Sequence, residues 1–273
     1  MSGPEMHKWD PADYQKSSSA QYNWAMALIA GLKLDGDERI LDIGCGDGRI
    51  TAHLAGLVPS GSVLGIDLSP EMICFAASQH AGQPNLSFRV GDASQLHFSE
   101  EFDLVVSFAC LHWVKDHLSV LKSVRKSLVP GGRFLMQCGG RGNAARILDL
   151  TGDLVASPSW KEYFSGFSFP YHFYGPEEYR IWLAEAALRP SRVELIPKDM
   201  IHQGQEGLEG IIRNTWLPYT ERLPAHLRDG FVREIAGRYL ERYPLDEKGQ
   251  AHVQMMRLEV EAERPRAGMA ACR

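Results

Sequence analysis

Between residues 39 and 138, short apolar runs alternate with amphipathic ones in a regular rhythm. "RILDIG" predicts a strand and "DGRITAHLAG" a helix closed by Gly56. "SVLGID" predicts the second strand, and "SPEMICFAASQH" a helix with Ser69 as N-cap and Pro70 in its first position. "LSFRV" and "FDLVVSF" follow as strands. "DHLSVLKSVRKSL" reads as an amphipathic helix stopped by "VPGG", and "RFLMQC" as a fifth strand. Continuous apolar strands separated by helices imply a parallel sheet covered on both faces, a doubly wound α/β domain.

Three segments break the rhythm. Residues 1–34 precede the first strand and carry the helix-like "SSSAQYNWAMALIAGL". Residues 139–175 are aromatic-rich and read as irregular, and residues 204–250 read as helical. The last two flank or interrupt two later strand-like stretches, "SRVELIPKDM" and "HVQMMRLEVEAE". The expected organisation is one domain: an N-terminal lid segment (1–34), a core (35–138) and two insertions that cap one end of the sheet.

Composition narrows the field. The 273 residues are 44% hydrophobic, enough for a full core, and the net charge of −5 with no long basic block disfavours nucleic-acid binding. Cys45, Cys74, Cys110, Cys138 and Cys272 are scattered, odd in number and without a C-x-x-C pair, which points to a reducing compartment rather than a disulfide framework. No signal peptide and no apolar stretch of bilayer length is evident, so a cytoplasmic protein without a membrane partner is expected.

The candidate chemistry lies in the turn "LDIGCGDGRI", residues 41–50. A dinucleotide turn would read G-x-G-x-x-G with an acid about 20 residues on. Gly44, Gly46 and Asp67 fit, but Arg49 stands where the third glycine belongs, and Asp47 would repel a pyrophosphate. No G-K-[ST] follows, so a phosphate-binding P-loop fails too. S-adenosylmethionine carries a ribose but no phosphate. Asp42 can pair with its ammonium, Asp67 can accept from both ribose hydroxyls, and Asp92 in "VGDASQL" from the adenine amino group. A turn that merely packed helix on strand would leave these three spaced acids unexplained.

D-x-G-x-G-x-G from Asp42 to Gly48, then "GIDLSPEMI", "GDASQL" and "FDLVVSFACLHWVKD", together resemble class I S-adenosylmethionine-dependent methyltransferases. The resemblance implies a mostly parallel seven-stranded, Rossmann-like sheet with a helical cap. It carries cofactor contact onto Asp42, Gly44, Cys45, Gly46, Asp67, Leu68, Asp92, Ala93 and Phe108, with S-adenosylhomocysteine as the product. "KWDPADY", "LHWVKDH", "HQ" at 202–203 and "YPLDEKGQ" resemble the group containing trans-aconitate methyltransferase. Tyr14, Gln21 and Trp113 resemble the active-site pattern of juvenile hormone acid methyltransferases, and malonyl-carrier O-methyltransferases are a related comparison.

Those groups esterify acids, so the resemblance implies a small-molecule carboxylate as acceptor, positioned by Tyr14, Gln21 and Trp113. A carboxylate is ionised near neutrality and needs no general base. The alternatives are C- or N-methylation of another metabolite, a hydroxyl acceptor with His112 as base, and a cofactor-binding sensor without catalysis. His112 and His117 have no third ligand in spacing, so no metal is expected. Arg213 and Arg222 are candidates to clamp a second substrate carboxylate, and the segment through Gln21, with Trp9 and Trp24, is expected to close over the methyl group.

Overall fold

The computed structural model describes residues 19–266. Tyr14, Trp9, Cys272 and most of the expected lid lie outside the described residues. Helix α1 spans Ser19–Ile29, and the alternating units follow: β1 Arg39–Ile43, α2 Arg49–Leu57, β2 Ser62–Asp67, α3 Pro70–Gln79, β3 Leu86–Val90 and β4 Phe102–Phe108. After a single 3₁₀ turn, Leu111–Trp113, come α4 His117–Ser127 and β5 Leu128–Gly139. The remaining elements are α5 Ala145–Val155, α6 Pro176–Glu185, β6 Arg189–Gln203, α7 Gly204–Thr215, α8 Leu217–Thr220, α9 Ala225–Arg242 and β7 Gln250–Glu263.

The seven strands form one sheet in the order β3-β2-β1-β4-β5-β7-β6. β1 pairs in parallel with β2 and β4, β2 with β3, and β4 with β5; β7 runs antiparallel to β5. Side chains alternate across the pleat. Ile40, Val63, Leu104 and Leu135 therefore pack with Ala25, Ile29 and Leu54 from α1 and α2. Leu41, Ile43, Val105 and Phe134 face the other way, against Val120 and Val124 of α4 and Tyr179 and Leu183 of α6.

The chain divides into two compact units. Of the described residues, one comprises those through Arg141, His172–Ile196 and those from Arg257 on; the other comprises Gly142–Tyr171 and Pro197–Met256. In the second unit the aromatic run acts as packing: Phe164 stacks on Phe231 with centroids 5.4 Å apart, Phe169 stacks on Tyr219 at 5.2 Å, and the Trp160 indole donates to Glu234 at 2.9 Å.

Local details correct several expectations. Residues 139–175 are not wholly irregular, because α5 buries Ile147, Thr151 and Leu154 at helical spacing. Gly56 lies inside α2, which runs to Leu57 and is followed by Val58. β5 begins directly after α4, before the "VPGG" expected as the stop, with Gly131 in the left-handed region at φ 89°. Helix α6 was not anticipated. Its start is marked by Pro176 and by Glu178, whose carboxylate accepts the Gly175 N–H. Among the described residues, no helix is long and apolar enough to cross a membrane.

Candidate functional site

The glycine turn follows from what β1 must do. Its strand is buried, and the chain then reverses into α2 within five residues. Gly44, Gly46 and Gly48 take φ of 74°, 52° and 80°, a region that side chains disfavour. Space is as restrictive as conformation: a Cβ on Gly44 would lie 2.2 Å from Cys110 Sγ. The Gly44 and Cys45 N–H groups donate to Ile66 O at 2.8 and 2.9 Å, which ties the turn to the end of β2.

Asp67 completes the tie. Its Oδ2 accepts the Gly46 N–H at 3.0 Å and its Oδ1 the Ser69 N–H at 2.9 Å, while Ser69 Oγ caps α3 by accepting from Met72 N. Burial pushes the Asp67 carboxyl up, and the backbone donors oppose that rise. Asp92 sits two residues past β3, next to Asp67, whose carbonyl accepts the Gly91 N–H at 2.9 Å. Its Oδ1 accepts from both the N–H and the hydroxyl of Ser94, at 2.8 and 2.7 Å.

Asp42 is the most perturbed acid. It is 2% exposed, on the α2 side of β1, and its Oδ2 accepts the Thr51 hydroxyl at 2.8 Å. Burial pushes its titration up from 3.8 to about 7, against the Thr51 bond and with help from the charges of Asp67 and Asp47. Asp42, Asp67 and Asp92 thus gather at the carboxyl ends of three neighbouring strands, as their spacing implied. Asp47 requires a correction. Its Oδ2 pairs with Arg49 Nε at 2.7 Å and its Oδ1 accepts the Arg49 N–H, so its charge is offset and the expected repulsion of a pyrophosphate loses force.

The methyltransferase domain family matches residues 40–132, the stretch that carries this turn and all three acids. An uncharacterized methyltransferase of Schizosaccharomyces pombe is 32% identical over 198 residues, covering 70% of this chain and 74% of that protein. The chain belongs to the S-adenosylmethionine-dependent methyltransferases. A trans-aconitate 2-methyltransferase of Methylobacterium nodulans is 27% identical over 273 residues, 96% of this chain and all of that one. Among solved structures, the YcgJ protein of Bacillus subtilis matches the fold with TM-score 0.62 at 19% identity, over 90% of this chain and 100% of that one. Phosphoethanolamine N-methyltransferase 2 of Haemonchus contortus, solved with S-adenosyl-L-methionine, matches with TM-score 0.59 at 21% identity, over 94% of this chain and 57% of that one.

The other expected cofactor contacts of this methyltransferase differ in character. Leu68 is an exposed apolar side chain just past Asp67, and Ala93 is half-buried. Cys45 is buried, and burial pushes its thiol well up. Phe108 is buried in the core against the α1–α2 layer, so its ring is committed to packing.

Beyond β4, Ala109 adopts φ 52°, a strained value for a residue with a Cβ, and its N–H donates to Gln137 O at 2.8 Å. That bend delivers the 3₁₀ turn with His112 and Trp113, both half-buried. Burial, then the charge of Arg257, depresses His112 from 6.5 to about 3. The other histidine of the pair, His117, is buried beneath this turn, its Nδ1 2.5 Å from Tyr179 Oη. Gln21, on α1, is half-buried, and its Oε1 has no hydrogen-bond partner among the described residues. The two candidate clamps are engaged elsewhere: Arg213 with Asp229 at 3.3 Å, and Arg222 with Ser165 O at 3.1 Å. Sequence reasoning missed Arg257, a buried guanidinium whose Cζ lies 4.0 Å from the centroid of Trp24. Its signal was a charge where Ala251, Val253 and Met255 had set up a buried alternation.

Proposed function

We propose that the methyltransferase transfers the methyl group of S-adenosylmethionine to a carboxylate oxygen of a small-molecule acid. The observation that carries this reading is the state of His112, the side chain best placed in the sequence to act as a base. A fall in its titration from 6.5 to about 3 removes ~5 kcal/mol of proton affinity. An imidazole so held is a poor base for an alcohol. A carboxylate acceptor arrives already ionised and asks for none. Likeness over the whole chain to proteins named trans-aconitate 2-methyltransferase supports the same choice.

The residues present fit the cofactor by their chemistry. A buried carboxyl titrating near 7, Asp42, gains a counter-charge from an ammonium. Asp67 keeps lone pairs for ribose hydroxyls after accepting its two backbone N–H groups. Asp92 accepts from the adenine amino group, and Leu68 offers an apolar side chain to the ring. When bound, the cofactor would supply an electrophilic methyl on a sulfonium, whose transfer to a carboxylate oxygen, with the C–S pair left on sulfur, would cancel both charges. The protein's part is to hold oxygen, carbon and sulfur in line and exclude water. Gln21 and Trp113 orient the acceptor, and Tyr14 shares that role. The setting is cytoplasmic, and the acceptor is a small molecule rather than a nucleic acid.

The test is release of S-adenosylhomocysteine from wild-type protein given panels of acids, alcohols and amines. Turnover on acids above the other two classes is expected. Turnover confined to alcohols or amines overturns the reading.

A further inference from the structure

Arg257 stands where the carboxyl end of the sheet meets α1. In the antiparallel β5–β7 ladder it lies opposite Gly139, the last residue of β5. Gln137, two residues earlier, lies opposite Glu259, and Gln137 is also the residue opposite Phe108 at the end of β4. Arg257 is therefore two strand spacings from β4, ~10 Å along the sheet, at the end that carries Asp42 and Asp67 in β1 and β2. Its charge is felt by His112 on the turn after β4.

Arg257 is 4% exposed, which is rare for an arginine. Its Cζ lies over the indole of Trp24, 4.0 Å from the ring centroid. Stacking of this kind suits a weakly hydrated, planar cation and fixes its orientation. A guanidinium carries its donors in a planar fork that matches a carboxylate. Glu259, next along the same face of β7, is engaged by Gln137 and Arg192 at 2.8 and 2.7 Å.

A second observation comes from the helix that carries Trp24. Gln21 precedes it by three residues on α1, which places both on one helix face. The Gln21 Oε1 is buried without a hydrogen-bond partner among the described residues, a cost that a folded chain accepts where a ligand supplies the partner. Turned about its last bond, the same amide presents N–H to an acid.

We propose that Arg257, held over Trp24, is the electrostatic anchor for the acceptor's carboxylate, with the Gln21 amide, on the helix face that carries Trp24, as a second contact. The assignment rests on the carboxylate reading above and identifies the residue that enforces it. Methyl transfer to a carboxylate annihilates charge, so a fixed cation favours the bound anion over the transition state. Arg257 therefore acts on acceptor binding and not on the chemical step. A buried cation at this place also disfavours an amine acceptor in its ammonium form.

The experiment compares wild type with Arg257→Met, Arg257→Lys and Trp24→Phe. Probes are trans-aconitate, the acid in the relatives' names, and a series of linear monocarboxylates. S-adenosylhomocysteine affinity, measured by calorimetry, reports an intact fold and cofactor site and should stay within about twofold of wild type. KM for the best acid should rise ~30-fold or more in Arg257→Met and ~5-fold in Arg257→Lys, with kcat unchanged or higher. Trp24→Phe should raise KM less than Arg257→Met. An Arg257→Met protein with normal S-adenosylhomocysteine affinity and wild-type KM overturns the assignment while leaving the carboxylate reading intact. Should Arg257→Met lose cofactor binding, Arg257→Lys decides: a raised KM supports the anchor and an unchanged one refutes it. Wild-type turnover on amines or alcohols but on none of the acids removes the carboxylate reading, and the anchor with it.

Discussion

If Asp42 pairs with the cofactor's ammonium, its burial makes cofactor affinity depend on pH in a defined way. The perturbations are pH itself and Asp42→Asn. The carboxyl titrates at about 7 instead of 3.8 because burial disfavours its charged form. Only the ionised form pairs with an ammonium, so the apparent dissociation constant scales as one plus the ratio of proton concentration to that titration constant. Against an acid titrating at about 7, this factor is ~1.4 at pH 7.4 and ~11 at pH 6. An α-amino group titrates near 7.7–8.0, so the opposing limb sets in above about pH 7.4, where it already contributes a factor of ~1.4. S-adenosylhomocysteine should therefore bind most tightly near pH 7.4 and lose ~6-fold by pH 6. The same carboxyl has the opposite effect on the ligand-free fold. Its folded titration lies above the unfolded one, so the native state holds the proton more tightly, and stability falls as pH rises from 3.8 to about 7. The full difference corresponds to ~4 kcal/mol as an upper bound. Asp42→Asn keeps an oxygen for the Thr51 hydroxyl and abolishes that titration. It should raise the Tm of the ligand-free protein above pH 7, weaken S-adenosylhomocysteine by ~1.5–3 kcal/mol and erase the acid limb. Calorimetry from pH 6 to 9 and thermal melts read both effects. A wild-type affinity that is flat between pH 6 and 7.4, or an Asn variant that melts lower, would refute the reasoning.

Three further outcomes follow from the same geometry. Asp67→Ala removes the acceptor of the Gly46 and Ser69 N–H groups as well as the ribose partner, so calorimetry should show S-adenosylhomocysteine weakened by ~2–4 kcal/mol, and unchanged affinity would exclude the role. Gly44→Ala places a methyl 2.2 Å from Cys110 Sγ at a left-handed position. It should cost ~3 kcal/mol or more, a Tm loss of ~6 °C or more, and an unaltered melt would contradict the packing described. With His112 held near 3, turnover on an acid should be nearly flat from pH 6 to 8 once cofactor is saturating. A rise through the histidine range that disappears in His112→Ala would reinstate the hydroxyl reading.

The parts of the fold that could be read in advance are those in which local signals agree. Ser69 and Pro70 marked α3 because a hydroxyl cap and a fixed φ are chemical requirements of a helix start. Of the five parallel strands, β1, β2, β4 and β5 showed themselves because both faces are largely buried, while β3, at the sheet edge and without a buried residue, was legible only as a short apolar run between turns. Helix α5 escaped because it carries no such mark: Ala144 precedes it at φ 51° without a side-chain cap. Asp67 was legible as an acid at a strand end, but its grip on the Gly46 N–H depends on a turn 21 residues away. Asp47 misled because the charge that offsets it, Arg49, was read as a missing glycine rather than as a partner. Arg257 reaches Trp24 from a strand more than 230 residues later, a separation over which no local pattern speaks.

The most direct test of the account is the chemical identity of the product. Wild-type protein is given methyl-labelled S-adenosylmethionine and the best acceptor from the acid panel, and the labelled product is treated with mild alkali. An O-methyl ester hydrolyses, returning labelled methanol and the acid. That is the result the account predicts, at a rate of formation nearly constant from pH 6 to 8. A labelled product that survives alkali as an ether, amine or C-methyl compound would contradict the carboxylate claim and leave the methyltransferase fold without it.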